Sequence, residues 1–288
     1  MVTPIGADDK PALDVLERLT NGFVEEGLDG LYVLGSTGQW PMLTVAERCA
    51  VAACVVRAVA GRIPVMIHIG AASTADSIAL ARHAADVGAD AVSAISPIYY
   101  DYSADEIFAH YRRIGAATDL PLFVYHLQGV TRLQLDPREY AKRILSLPNI
   151  GGMKITNCDL NVLGLMHEYA GDRLSLFSGM DEIMCHAVLC GAAGAIGTFF
   201  NVWGPACQRA RNRCAQGSID VAGRFMRVFQ RVVSDIIRSQ TAWSFLRAAA
   251  RIRFGLDIGM PRQPLGGVDV AWSAADVETL LREVDAAI

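Results

Sequence analysis

Short apolar runs alternate with stretches of helical period through most of the chain. The runs are "LYVLG" (31–35), "PVMIHIG" (64–70), "DAVSAIS" (90–96), "PLFVYHL" (121–127), "IGGMKIT" (150–156), "RLSLFSG" (173–179) and "AAGAIGT" (192–198). Their starts lie roughly 20 to 30 residues apart, room for one crossover helix each, which is the pattern of repeated strand–helix units. Helix starts are marked between them. Thr44 with Glu47, and Ser103 with Glu106, have the spacing of capping boxes, and Gly61 closes the first of these helices. A further helix is expected from about Ala12 to Glu26.

Seven strands of one kind, each followed by a helix, predict an α/β fold, a (β/α)8 barrel closed by parallel strands. The eighth strand would have to come first, where only "MVTP" precedes the turn-like "IGADDKP". Either that strand is abbreviated or the natural chain starts further upstream. From about Ala206 the strand signal stops. Helices are expected through "SIDVAGRFMRVFQRVVSDIIR" and "TAWSFLRAAARIRFG", then, after a break at "GMPRQPLGGV", through "SAADVETLLREVDAAI". The domain expectation is a barrel over residues 1–205, completed and extended by C-terminal helices over 206–288.

Composition narrows the class. Of 288 residues 52% are apolar and 19% charged, enough for a large core and too little charge for disorder. A net charge of −4, with arginines scattered among carboxylates, gives no reason to expect nucleic acid as a partner. No uncharged stretch is long enough for a membrane span and no basic-then-apolar leader is present, so the expected location is the cytoplasm. Seven cysteines without a Cys-x-x-Cys pair read as core residues of a reducing compartment.

The chemistry concentrates at the strand ends, where barrels carry their sites. Those ends hold Gly35-Ser36-Thr37-Gly38, Tyr99, Tyr125, Lys154, Thr156, Asp181-Glu182 and Thr198. Lys154 stands out. The chain has only three lysines among its 26 basic residues, and Lys154 alone lies inside an apolar run. A lysine so placed is driven toward its neutral amine, a nucleophile for ketones; alternatively it reaches the rim or pairs with Asp181 or Glu182. Tyr125, on the preceding strand, could pass protons beside it, although a lone strand tyrosine is also an ordinary rim residue. "GSTG" (35–38) offers backbone N–H groups suited to a carboxylate or phosphate, or is simply a tight turn. Asp181 and Glu182 could bind substrate or serve as helix-start carboxylates. His68 and His126 fall on strands, but no metal-ligand spacing accompanies them, so no metal and no cofactor are expected.

Taken together, the "GSTG" turn, "SPIYY" (96–100), Tyr125 and "GGMKIT" resemble the N-acetylneuraminate lyase and dihydrodipicolinate synthase family of class I, pyruvate-dependent aldolases. The resemblance spans Val2 to about Val268. It implies a (β/α)8 barrel with a C-terminal helical extension, usually a homotetramer arranged as a dimer of dimers. It assigns Lys154 as the Schiff-base lysine, Tyr125 as general acid/base, Ser36 as the hydroxyl of a proton relay and Thr37, beside Gly38, as the binder of the pyruvate carboxylate. Tyr99 matches the tyrosine inserted into a neighbouring subunit's site. Thr156, Gly179, Asp181, Glu182, and Thr198 after Ile196-Gly197 match the sugar-acid-binding set of the lyase branch. The synthase branch instead places an arginine where this chain has Val130, with Arg132 two residues on. Two departures are visible: Gln39 replaces the family's common glutamate, and His126-Leu127-Gln128 replaces Asn-Ile-Pro or Asn-Val-Pro. The expected function is therefore cleavage or formation of a 2-oxo-3-deoxy acid from pyruvate and an aldehyde. The alternatives are dihydrodipicolinate synthesis and a non-catalytic oxo-acid-binding barrel.

Overall fold

The computed structural model describes residues 1–131, 133 and 135–288. The chain begins with α1 (Leu13–Glu25), β1 (Leu31–Val33) and α2 (Val45–Val59). Strands and helices then alternate: β2 (Val65–His68), α3 (Thr74–Asp86), β3 (Ala91–Ile95), α4 (Ala104–Gly115), β4 (Leu122–Leu127) and α5 (Pro137–Leu145). The series continues with β5 (Ile150–Thr156), α6 (Leu160–Ala170), β6 (Ser175–Ser178), α7 (Met184–Leu189) and β7 (Gly194–Ala195). Four helices complete the chain: α8 (Phe200–Ala215), α9 (Ile219–Arg238), α10 (Ala242–Phe254) and α11 (Ala274–Asp285). Every strand falls within one of the seven apolar runs. Both capping boxes form, Thr44 with Glu47 and Ser103 with Glu106. No described helix is long and apolar enough to cross a membrane.

Two compact units divide the chain, Pro64–Gly197 and the pair of segments Met1–Ile63 with Thr198–Ile288. In the central unit β2 to β7 pair in parallel and in chain order. Most of their residues are buried, on both faces, as expected of parallel strands covered by crossover helices. Val92, Val124, Met153 and Leu176 are essentially inaccessible to water, and so are Leu80, Tyr111, Ile114 and Ile144 on the helices.

The other unit is held by a different device. Residues 1–5 are where the abbreviated first strand was expected. They run as a buried segment tied by individual hydrogen bonds, with only a single bridge from Ile5 to Pro11. The N-terminal amine donates to the Tyr32 carbonyl at 2.5 Å, Val2 N to Asn201 Oδ1 at 2.9 Å and Thr3 Oγ1 to the Gly38 carbonyl at 2.8 Å. Gln39 explains one departure from the family pattern. It is buried, takes a left-handed φ of 60°, donates from Nε2 to the Thr3 carbonyl (3.1 Å) and accepts from Arg262 N (2.9 Å). A carboxylate could not make the first of these bonds, because it has no proton to donate at neutral pH. Arg262 also grips Glu47 through both guanidinium arms, and this charge-assisted hydrogen bonding lowers the Glu47 pKa to about 2.

The C-terminal helices pack through apolar stripes. On α9 the buried residues Ala222, Phe225, Met226, Phe229, Val232, Val233 and Ile236 recur at helical spacing. Trp203 of α8, wholly inaccessible, stacks on Phe245 at 5.5 Å and meets Phe229 edge-on at 6.0 Å.

Gln39→Asn keeps a residue that tolerates positive φ but shortens the amide so that it cannot reach both partners. Leaving buried backbone groups unpaired should lower stability by about 2 kcal/mol, read as a reduced urea midpoint at constant slope.

Candidate active site

Lys154 answers the question raised by its run. It is 7% exposed, on β5, and its direct ladder partner on β4 is Tyr125, which is 2% exposed. Ladder partners share a face of the sheet, so the two side chains meet. Nζ lies 4.2 Å from the centre of the Tyr125 ring. Burial lowers the Lys154 pKa from the ordinary lysine value, while the Tyr125 phenol and the Asp181 carboxylate oppose that shift. The amine is thus driven toward its neutral form yet kept next to a proton-carrying phenol.

Glycines create the space. A Cβ at Gly152, one turn of the pleat below Lys154, would come within 2.0 Å of the Ser175 carbonyl and 2.6 Å of the Phe123 ring. A Cβ at Gly179, just past β6, would lie 1.8 Å from Thr156 Oγ1 and 3.0 Å from Lys154 Cε. Only glycine lets the backbone pack so closely at these two points, at Gly179 against Lys154 itself. Thr156 ends β5 on the same face as Lys154, and its Oγ1 is buried with no hydrogen-bond partner among the described residues. Asp181 is buried in a short 3₁₀ turn (Asp181–Ile183), its carboxylate so close to Gly197 that a Cβ there would sit 1.9 Å from Oδ1. Glu182 follows in the same turn, half-buried. Ile196 continues β7 by donating its N–H to the Ser178 carbonyl at 2.8 Å.

In the terminal-segment unit the "GSTG" turn follows β1. Leu34 adopts a left-handed φ of 62°, and a Cβ on Gly38 would meet the Leu34 backbone at 2.9 Å, so the loop is tightly folded. Ser36 is exposed and Thr37 half-buried. The Thr37 and Thr198 hydroxyls are 2.7 Å apart, which joins two expected substrate-binding residues from distant parts of the sequence. Tyr99 stands on the loop after β3, 79% exposed, its ring edge-on to Tyr100 at 4.9 Å. Arg132 lies outside the described residues.

Tyr125 and His126 project from opposite faces of β4, as the period of two requires. His126 therefore leaves the lysine face, packs on Tyr140 of α5 with Nδ1 3.3 Å from the phenol oxygen, and lines a cavity of about 760 Å³. Thr131, Leu133, Leu135, Tyr140 and Asn157 line it too, whereas Lys154 and Tyr125 do not. Burial lowers the His126 pKa and favours the neutral ring. The His126 departure thus falls on the other face of β4, as the alternation after Tyr125 in the sequence already signals. From the sequence, His68 stood out only as a metal candidate. No group of three His, Cys, Asp or Glu residues that could hold a metal ion is found among the described residues.

This arrangement has relatives. The profile of the Dihydrodipicolinate synthetase family matches residues 1–281. The chain belongs to this family. It is 34% identical to an N-acetylneuraminate lyase of Rhizobium meliloti over 83% of this chain and 79% of that one. Among solved structures, an N-acetylneuraminate lyase from Mycoplasma synoviae superposes with a TM-score of 0.87 at 26% identity, covering 99% of this chain and 94% of that one. A catalytic lysine mutant of the Ruminococcus gnavus sialic acid aldolase gives 0.89 at 25% identity, covering 99% and 94%. The fold class is thus the expected (β/α)8 barrel with a C-terminal helical extension, and the protein is an enzyme of the aldolase/lyase type.

Gly179→Ala should force Thr156 and the Lys154 side chain to move. The expected result is a loss of turnover on the order of a hundredfold, with the thermal midpoint changed by only a few degrees. Steady-state kinetics beside a melting curve reads both.

Proposed function

We propose that this enzyme is a class I aldolase that cleaves or forms a 2-oxo-3-deoxy acid, using pyruvate and an aldehyde in the manner of an N-acetylneuraminate lyase. The carrying observation is the buried Lys154 amine set beside the Tyr125 phenol by strand register. The neutral amine attacks C2 of pyruvate, and loss of water from the carbinolamine leaves an imine. The imine draws electrons from C3, so that the bond from C3 to the aldehyde carbon can form or break. Tyr125 shuttles the protons at the carbinolamine and at the aldehyde oxygen.

The remaining assignments belong to the same proposal. Ser36 extends the proton relay, and Thr37 with Gly38 holds the pyruvate carboxylate by backbone N–H groups. Thr156, Gly179, Asp181, Glu182, Ile196 and Thr198 receive the hydroxylated tail. The unpartnered Thr156 hydroxyl and the half-buried Glu182 carboxylate suit a polyhydroxylated aldehyde. The aromatic exposure of Tyr99 supports its insertion into a second copy, within a homotetramer of cytoplasmic location. Residues 1–205 form the catalytic barrel and 206–288 complete it. The chemistry proceeds through the lysine imine without metal or cofactor.

Incubation with pyruvate and borohydride, followed by peptide mass analysis, should find a reduced pyruvyl adduct on Lys154. Lys154→Ala should show neither adduct nor turnover. Because the pKa of the amine is lowered, trapping should rise with pH and level off below the ordinary lysine value of 10.5. An adduct on another residue would sink the assignment. Tyr125→Phe should still trap pyruvate but lose turnover by roughly 10²- to 10⁴-fold, the worth of a positioned acid–base group. Wild-type rates in that variant would remove Tyr125 from the mechanism.

A further inference from the structure

His68 is a buried histidine that the proposed chemistry does not use. It ends β2, fully inaccessible, and its ladder partner is Ser93 of β3. Its ring does not stay level with that partner. Nε2 accepts the backbone N–H of Ile95, two residues further along β3, at 3.3 Å. Gly70 makes this possible, since a Cβ there would lie 2.9 Å from His68 Cε1, from Ile95 Cγ2 and from Ile95 N. The imidazole thus rises into the space a side chain at 70 would fill. One residue beyond His68, the Ile69 N–H donates to the Ser93 carbonyl at 2.7 Å.

Ile95 is in turn the ladder partner of Tyr125, whose other partner is Lys154. The raised ring of His68 meets the Tyr125 ring edge-on, with centroids 6.0 Å apart. His68 therefore reaches the acid–base tyrosine by two routes, directly through the ring contact and indirectly through the Ile95 backbone that pairs with it. An accepting Nε2 carries no proton, so the ring works here as a neutral imidazole.

We propose that His68 is a positioning residue for Tyr125: lodged in the gap left by Gly70, it holds the Ile95 backbone and the Tyr125 ring in line with Lys154. The proposal rests on the aldolase reading for its kinetic consequence, and on the geometry alone for its structural one. A side chain that accepts at Ile95 should do the work and one that cannot should fail, whatever its bulk.

The test compares wild type, His68→Phe (ring without acceptor) and His68→Gln (acceptor without ring). In His68→Phe, kcat should fall on the order of ten- to a hundredfold while KM stays within about threefold, because positioning acts on the reacting geometry rather than on substrate binding. The Ile95 amide should exchange faster and the NMR ring resonances of Tyr125 should move, with His68→Gln recovering part of all three. If His68→Phe does not fold, His68→Asn, too short to reach Ile95, replaces it. Unchanged kcat, unchanged Ile95 exchange, or no recovery by glutamine would overturn the proposal. Wild type without a pyruvyl adduct would sink the aldolase reading by itself. Amide exchange and Tyr125 resonances would then still decide the role of His68.

Discussion

Withdrawal of the Lys154 amine from water is the constraint around which the central unit is arranged. A buried ammonium is costly unless its surroundings compensate it, and the alternative is loss of the proton. The neighbours of Lys154 balance these outcomes. Burial favours the neutral amine, whereas the Tyr125 phenol and the Asp181 carboxylate favour the charged one. A lysine whose burial lowers its pKa beside a phenol is suited to nucleophilic attack and imine chemistry.

The packing follows from that requirement. Gly152 leaves room for Phe123 and the Ser175 carbonyl, and Gly179 leaves room for Thr156 and the lysine stem. Gly70 does the same for His68 on the far side of Tyr125. The site is thus built largely by omission, and the glycines are read through the atoms that occupy their missing side-chain volume. On the opposite face of β4, His126 and Tyr140 border a separate cavity, so consecutive residues of one strand serve two environments.

The unit formed by the terminal segments solves another problem, that of fastening chain ends without a sheet. Gln39 links the Thr3 carbonyl to the Arg262 N–H, and Arg262 carries the connection on to Glu47 and the Met42 carbonyl. These polar contacts lie close to the "GSTG" turn and anchor the loop that bears Ser36 and Thr37.

Strand and helix positions were legible in the sequence because they depend on local periodicity: the seven apolar runs, the Thr44 and Ser103 caps and the C-terminal helices all rest on spacings within a few residues. The singularity of Lys154 was legible for the same reason, since a charge inside an apolar run is a local anomaly. Contacts between distant segments were not. The partnership of Thr37 with Thr198, the bridging by Gln39 and the lift of His68 toward Ile95 join residues whose separation along the chain carries no periodic signal. Side-chain direction at the end of β4 also waited on the structure, because a motif read as a string ignores the alternation that sends His126 away from the lysine. Sequence by itself determined the repeating units and singled out Lys154; only tertiary structure decided which groups surround its amine, because burial and proximity are properties of the folded chain.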